Sequence, residues 1–151
     1  MSIAQTATTS FKVELLQGVH NFGPTSPDTF KVALYTAAAN IGPTTTAYTT
    51  SGEVSSSGTG YTAGGNTLVI STSPTSGNNS SSVPTAYVSF SNSTWTSATF
   101  TARGALIYND TASGNPSVAV LDFGSDKTVS NDTFQIIFPT PDANSAIVRI
   151  S

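Results

Sequence analysis

The chain has little of the material from which active sites and nucleic-acid interfaces are built. Its 151 residues include no cysteine, one histidine and only 9% charged residues. Disulfides are therefore excluded, and a single domain of this length buries roughly 68–70% of its unfolded surface without them. An enzyme of this size needs a cluster of acids, bases or metal ligands. The composition hence predicts a protein that acts through its surfaces, without catalytic residues, cofactor or metal.

The charges are too few and too dispersed for a nucleic-acid interface. The net charge is −3, and the five cations are scattered along the chain as Lys12, Lys31, Arg103, Lys127 and Arg149, whereas binding to nucleic acid needs clustered Lys and Arg. No apolar run approaches the roughly 20 residues of a membrane span. Residues 1–6 also lack the basic and apolar regions of a signal peptide. We therefore expect neither nucleic acid nor a membrane as a partner, and synthesis in a cytoplasm.

What is abundant is hydroxyl and β-forming side chains. Ser and Thr make up about a third of the chain, and Thr, Val, Tyr and Phe favour strands. Alternating or continuous apolar runs predict strands at 29–36, 68–70, 86–90, 95–102, 105–108, 118–123, 134–138 and 146–150, with a tight turn at 124–127. No helix of crossover length separates them. The predicted fold is all-β, an antiparallel β-sandwich or jelly-roll-like barrel of about seven or eight strands with one short N-terminal helix.

The start of the chain predicts an arm followed by that helix. Residues 1–9 carry little to bury and predict a flexible N-terminal arm, and residues 10–151 a single β-sandwich domain. Ser10 occupies an N-cap position, and apolar residues recur at helical spacing over about 11–20. Residues 37–66, poor in large apolar groups, predict an irregular excursion, and the polar stretch 73–82 predicts an exposed loop tip.

The motifs that suggest chemistry have more ordinary explanations. Gly58-Thr59-Gly60 has no following Lys-Ser/Thr and no helix, so that it favours a turn over a phosphate loop. The aspartates do not match the spacing of a calcium loop. His20 alone cannot define a triad, and no Gly-x-Ser-x-Gly elbow is present.

Four residues are candidates for an interface with another subunit: Arg103, Trp95, Tyr61 and Tyr108. Arg103 lies in an apolar stretch, where its guanidinium needs a partner. Asp122, Glu53 or a neighbouring subunit can supply that partner. The Tyr residues and Trp95 fit either a sugar-binding face or packing within the protein, and packing is the more common use of such residues.

Four stretches resemble a known family. They are TFKVALYT at 29–36, GTGYTAGG at 58–65, FTARGALIYN at 100–109 and VLDFGSDK at 120–127. Together they are similar to small virion structural proteins of tailed bacteriophages, and the similarity extends over about residues 10–150. The polar segment 73–82 departs from the pattern of the family.

The resemblance implies a non-enzymatic virion protein made in the cytoplasm of a bacterial host. Its leading implication is a capsid decoration or cement protein that binds the major capsid protein as a homo-oligomer. The alternatives are a tail, neck or baseplate component, and a module on the virion that binds carbohydrate or the host surface.

Overall fold

The protein is an all-β sandwich with one short helix. The computed structural model describes all 151 residues and contains eight strands and one helix. In chain order these are β1 (Thr6–Ala7), α1 (Thr9–Leu16), β2 (Phe30–Tyr35), β3 (Asn66–Leu68), β4 (Ile70–Asn78), β5 (Pro84–Phe90), β6 (Ser93–Asn109), β7 (Ser117–Ile136) and β8 (Val148–Ile150). The structure has no helix with the length and hydrophobicity that a membrane crossing requires.

Two antiparallel sheets form the sandwich. The larger has the strand order β1-β7-β6-β2-β3 and the smaller the order β4-β5-β8. The main core lies between them and contains most of the large apolar side chains, among them Phe30, Phe90, Trp95 and Val148. The predicted sandwich with one short helix is thus confirmed.

A long hairpin of β6 and β7 runs through the larger sheet, and its two halves differ. In the half next to the turn, which we call the covered half, Gly104–Tyr108 pair with 117–122 and every residue of 104–109 is buried. In the other half, which we call the open half, Ser93–Ala102 pair with 127–136, and buried and exposed residues of β6 largely alternate. Alternation is typical of a sheet with one face in solvent, and continuous burial of a sheet covered on both faces.

The excursion after β2 covers the face of the larger sheet that points away from the smaller sheet. As predicted, residues 37–65 form no strand, only single bridges. They help to enclose a smaller core on the far face of the larger sheet, formed by Ala33, Tyr35, Ala39, Ile41, Leu106, Tyr108 and Val120. A segment poor in large apolar residues therefore still makes the covered half a buried layer.

The N-terminal residues correct the prediction of a flexible arm. Ile3 bridges to Ile41, β1 pairs with Ala119 and Val120, and Thr8 is fully buried. Their backbone groups satisfy an edge of the larger sheet, which is a reason for order that side-chain hydrophobicity does not reveal. The arm assigned to residues 1–9 is therefore part of the fold.

The helix is shorter than predicted and begins earlier. Thr8, not Ser10, is the N-cap, because its hydroxyl accepts a hydrogen bond from the backbone N–H of Phe11 at 3.4 Å. The helix ends at Leu16, and Gly18 follows with a φ of +72°. Phe11 is its one buried residue, whereas Leu16 is 92% exposed. The helix closes one end of the core mainly through a single aromatic ring.

Two further predictions were wrong for reasons of pairing. Most of the predicted loop tip 73–82 belongs to β4, which pairs with β5 and contains Pro74, as an edge strand can. The predicted turn at 124–127 is a bulge inside β7, since Asp122 pairs with Gly104 and Lys127 with Ala102. Where turn-like residues were predicted to separate two strands, the structure therefore has one long strand.

Candidate functional site

Arg103 is the sequence candidate that the structure leaves at the surface. It lies on β6 opposite the bulge of β7, and its side chain is 37% exposed. Its Nη1 lies 3.3 Å from Oδ1 of Asp126, and its Nε lies 3.9 Å from Oδ1 of Asp122. The predicted pairing with Asp122 is present within the chain, and Asp126 is the closer partner. Glu53, the other proposed partner, is bonded elsewhere.

The bulge itself is built from a short polar sequence. Asp122 Oδ1 accepts a hydrogen bond from the N–H of Gly124 at 2.8 Å, and Gly124 has a φ of +74°. A carboxylate that binds the backbone two residues ahead is a turn-forming device. Here this turn places residues 123–126 outside the hydrogen-bonded pairing of β6 and β7, and β7 pairs with β6 again beyond them. Arg103 then holds the bulge through the two carboxylates at its ends.

A cleft of about 750 Å³ follows β7 beyond this bulge. All of its lining residues belong to the segment 123–137. Phe123 and Phe134 line it with half-buried rings whose centroids lie 6.1 Å apart. Its polar lining includes Lys127 and Asp132. The cleft therefore lies beside one strand and is not enclosed between two elements.

The outer edge of β7 is open along this cleft. On its inner side β7 pairs with β6 from Ser117 to Ile136. On its outer side β1 pairs only with Ala119 and Val120, and no other strand pairs there. We consider this open edge, with Arg103 and the bulge at one end, to be the candidate interaction surface of the protein.

The other three interface candidates are core residues. Trp95, Tyr61 and Tyr108 are 4%, 3% and 2% exposed. Trp95 packs edge-on against Phe134, with ring centroids 5.9 Å apart. Tyr108 donates a hydrogen bond to the carbonyl of Gly64 at 2.8 Å. A neighbouring subunit cannot contact these side chains, so that their assignment to an interface is replaced by the packing role.

Tyr61 belongs to a partly buried network around Glu53. One carboxylate oxygen of Glu53 accepts hydrogen bonds from the hydroxyl of Tyr61 and the N–H of Gly64, each at 2.7 Å. The other accepts from the hydroxyl of Tyr48, also at 2.7 Å. Burial, together with the hydrogen bond to this carboxylate, raises the pKa of Tyr61 above its ordinary value. The hydroxyl of Tyr61 also accepts a hydrogen bond from the N–H of Leu34 on β2 at 3.0 Å, and this bond fastens the excursion 37–65 to the larger sheet.

His20 is also held in a structural network. Its ring stands against Phe11 at 5.0 Å between centroids, and Nε2 lies 2.9 Å from the carboxylate of Glu14. Nδ1 lies 3.2 Å from the amide nitrogen of Asn109, which in turn donates to Asp28 at 2.7 Å. The ring nitrogens have Glu14 and Asn109 as their hydrogen-bond partners, and neither partner is a hydroxyl. The arrangement connects the segment after α1 to β6.

An apolar groove of about 230 Å³ lies between α1 and the smaller sheet. Leu15, Pro74, Ala86 and Ile150 are among the residues that line it. Ile150 is 58% exposed. The structure contains no group of three or more His, Cys, Asp or Glu side chains that can hold a metal ion.

None of the protein-family models, curated proteins and solved structures compared with this chain matches it. Sequence reasoning found Arg103 and Asp122, and missed the open edge. No local pattern in the sequence indicates this edge, because the edge is defined by the absence of a strand beside β7.

Proposed function

We propose that this chain is a non-enzymatic structural protein of a tailed-bacteriophage virion, where it decorates the outer face of the capsid as an oligomer and binds the major capsid protein. The proposal assigns it to the virion, after synthesis in the cytoplasm of the bacterial host. It originates in the resemblance of four sequence stretches, and one structural observation supports it.

That observation is the way in which the four stretches come together. The segments 29–36, 100–109 and 120–127 supply β2, the covered half of β6 with the four residues before it, and a part of β7 that includes the bulge, and these strands are neighbours in the larger sheet. The segment 58–65 packs on the same unit, since a Cβ on Gly65 would overlap the carbonyl oxygen of Val32. Segments far apart in the sequence thus form one contiguous unit, as expected if the resemblance is one of fold.

The surfaces of the molecule suit attachment through contact area. We assign the contact with the capsid to the groove end, where Ile150 lines the groove and Leu16, next to the lining residue Leu15, is 92% exposed. Exposed apolar groups beside a groove are typical of interaction sites. The exposed hydroxyl-rich strands on the remaining surface keep the particle exterior polar.

Attachment to particles tests the proposal directly. Purified chain is added to complete tailed particles that lack it, and the bound copies per particle are counted by quantitative mass spectrometry. Hundreds of copies support capsid decoration, whereas tens or fewer indicate a tail, neck or baseplate component, and no binding refutes the virion role.

A matched pair of variants tests the assigned contact. Leu16→Glu places a charge beside the groove and should abolish attachment, whereas Val69→Glu alters a side chain that is 64% exposed elsewhere and should not. Equal attachment of both variants would refute the groove as the contact.

The carbohydrate-binding alternative has lost most of the aromatic platform predicted for it. Trp95, Tyr35, Tyr61 and Tyr108 are buried, and only Tyr48 and Tyr87 are half-buried. A glycan array with the intact protein tests what remains of this alternative, and binding there without attachment to capsids would favour it over decoration.

A further inference from the structure

The open edge of β7 has unsatisfied pairing capacity. In an antiparallel sheet, alternate residues direct their N–H and C=O groups to opposite sides of the strand. Beyond Val120, the outward set on β7 has no strand to pair with, from about residue 122 to Ile136. Exposed edges of this length are templates for pairing with another chain.

The cleft favours an extended occupant. Because its lining comes from the single segment 123–137, the cleft follows the strand and is open on its outer side. An added strand would lie along the edge and direct alternate side chains toward Phe123 and Phe134. Strand addition of this kind takes its affinity from main-chain hydrogen bonds and its specificity from side chains.

We propose that the occupant is the same edge of a second copy of this chain, paired antiparallel about a twofold axis. A backbone edge is self-complementary in this arrangement, since each residue supplies one donor and one acceptor. The larger sheets of the two copies then form one continuous sheet, and the outer edge of β7 is paired in both copies.

The charges along the edge agree with this pairing. Neither Lys127 nor Asp132 forms an ion pair within its own chain, whereas Asp126 is paired with Arg103. With the axis at the bulge that Ser130 and Asn131 form opposite Thr99, Val129 of one copy lies opposite Asp132 of the other. Lys127 lies two residues before Val129 on the same face of the sheet, so that it is the diagonal neighbour of that Asp132. The twofold axis makes this contact twice.

Lys127 also explains why pairing stops at one partner. A lysine on an edge strand discourages strand addition, because its charge must be compensated. A strand that presents a carboxylate at the matching position removes the penalty, and the second copy does so through Asp132. The dimer buries both edges and leaves no further edge on β7 for growth.

A charge-reversal cycle tests the proposal on the isolated chain by sedimentation velocity. The unmodified chain of 15.4 kDa should sediment as a dimer. Lys127→Glu and Asp132→Lys should each weaken the dimer roughly tenfold or more, since each change makes two repulsive contacts. The double variant should restore it. Lys12→Glu, on α1, changes the net charge by the same amount as Lys127→Glu and should leave the dimer intact.

Each result supports or overturns the inference. A monomeric unmodified chain overturns it, as does a dimer that Lys127→Glu leaves unchanged. Weakening in both single variants without rescue in the double variant overturns the proposed register. Thermal melts verify that the variants fold, and amide hydrogen exchange along 127–135 should slow on dimerisation.

The inference deepens the self-association in the proposed function but is measured without particles. A chain that dimerises through β7 and fails to bind capsids would refute decoration and leave the dimer standing. A chain that binds capsids as a monomer would refute the dimer and leave attachment to the capsid standing.

Discussion

The two halves of the β6–β7 hairpin belong to the same two strands and are stabilised differently. In the covered half, β2 and β1 satisfy the two edges and both faces are buried. In the open half, one face packs on the core and the outer edge of β7 has no strand beside it. Burial and strand pairing in the covered half therefore specify the fold, whereas the unpaired edge of the open half is available to contact a partner.

The sequences of the two halves show this division. GALIYN at 104–109 and SVAVL at 117–121 are nearly continuous apolar runs, whereas STWTSATFTA at 93–102 alternates. A side chain on a twice-covered layer has no solvent face on which a polar group is tolerated. Substitutions in the two halves should accordingly differ in their effects on stability and on assembly.

The largest expected difference is between two glycines of nearly equal backbone conformation. Gly65 has a φ of +75° and lies against β2, and Gly124 has a φ of +74° in the bulge, with no atom within 4 Å of an added Cβ. Gly65→Ala adds a clash with Val32 to the conformational penalty and should cost more than about 4 kcal/mol of unfolding free energy. Gly124→Ala should cost only about 1–2 kcal/mol. Urea unfolding measures both, and equal losses would contradict the division.

A second pair compares apolar side chains. Leu106 is fully buried in the covered half, and Ile137, just beyond the open half, is 72% exposed. Leu106→Ala should cost about 2–5 kcal/mol, since it removes core contacts and leaves a cavity. Ile137→Ala should change stability by less than about 0.5 kcal/mol. A large loss for Ile137→Ala, measured on the monomer, would show that the open half is a stabilising layer as well.

Much of the fold could be predicted from the sequence, because its main signals are local. The period of two in β2 and the continuous apolar runs of β6 and β7 identify strands without knowledge of their neighbours. The open edge could not be predicted, since an edge is defined by which strand is missing beside it. Order at the N-terminus was missed for the same reason, because Thr6 and Ala7 are held by backbone pairing.

Removing the N-terminal residues should leave the outer edge of β7 unpaired in the covered half, as it is in the open half. Deletion of residues 1–8 removes β1 from Ala119 and Val120 and the N-cap Thr8 from α1. Loss of the cap alone costs about 0.5–2 kcal/mol, and we expect at least about 2 kcal/mol in total, measured by chemical unfolding. Thr8→Ala is the matched control for the cap. If the deletion were no more destabilising than Thr8→Ala, the pairing of β1 would contribute nothing.

The smallest effect concerns the tyrosine network of the covered half at alkaline pH. Burial and the bond to Glu53 raise the pKa of Tyr61 in the folded protein. In the unfolded chain this pKa is about 10. The unfolded state therefore loses the proton first as the pH rises. The contribution of Tyr61 to stability is complete below pH 10 or so and decreases above it, by at most about 1.4 kcal/mol per pH unit. Urea unfolding between neutral and alkaline pH measures this slope.

The variant Tyr61→Phe tests whether Tyr61 causes it. This variant should be less stable at neutral pH, because the N–H of Leu34 and the carboxylate of Glu53 each lose a partner. Its stability should nevertheless decline less steeply as the pH rises. An unchanged slope in that variant would mean that Tyr61 ionises alike in both states, and that its packing against Trp95 and Phe100 does not shield its hydroxyl from solvent.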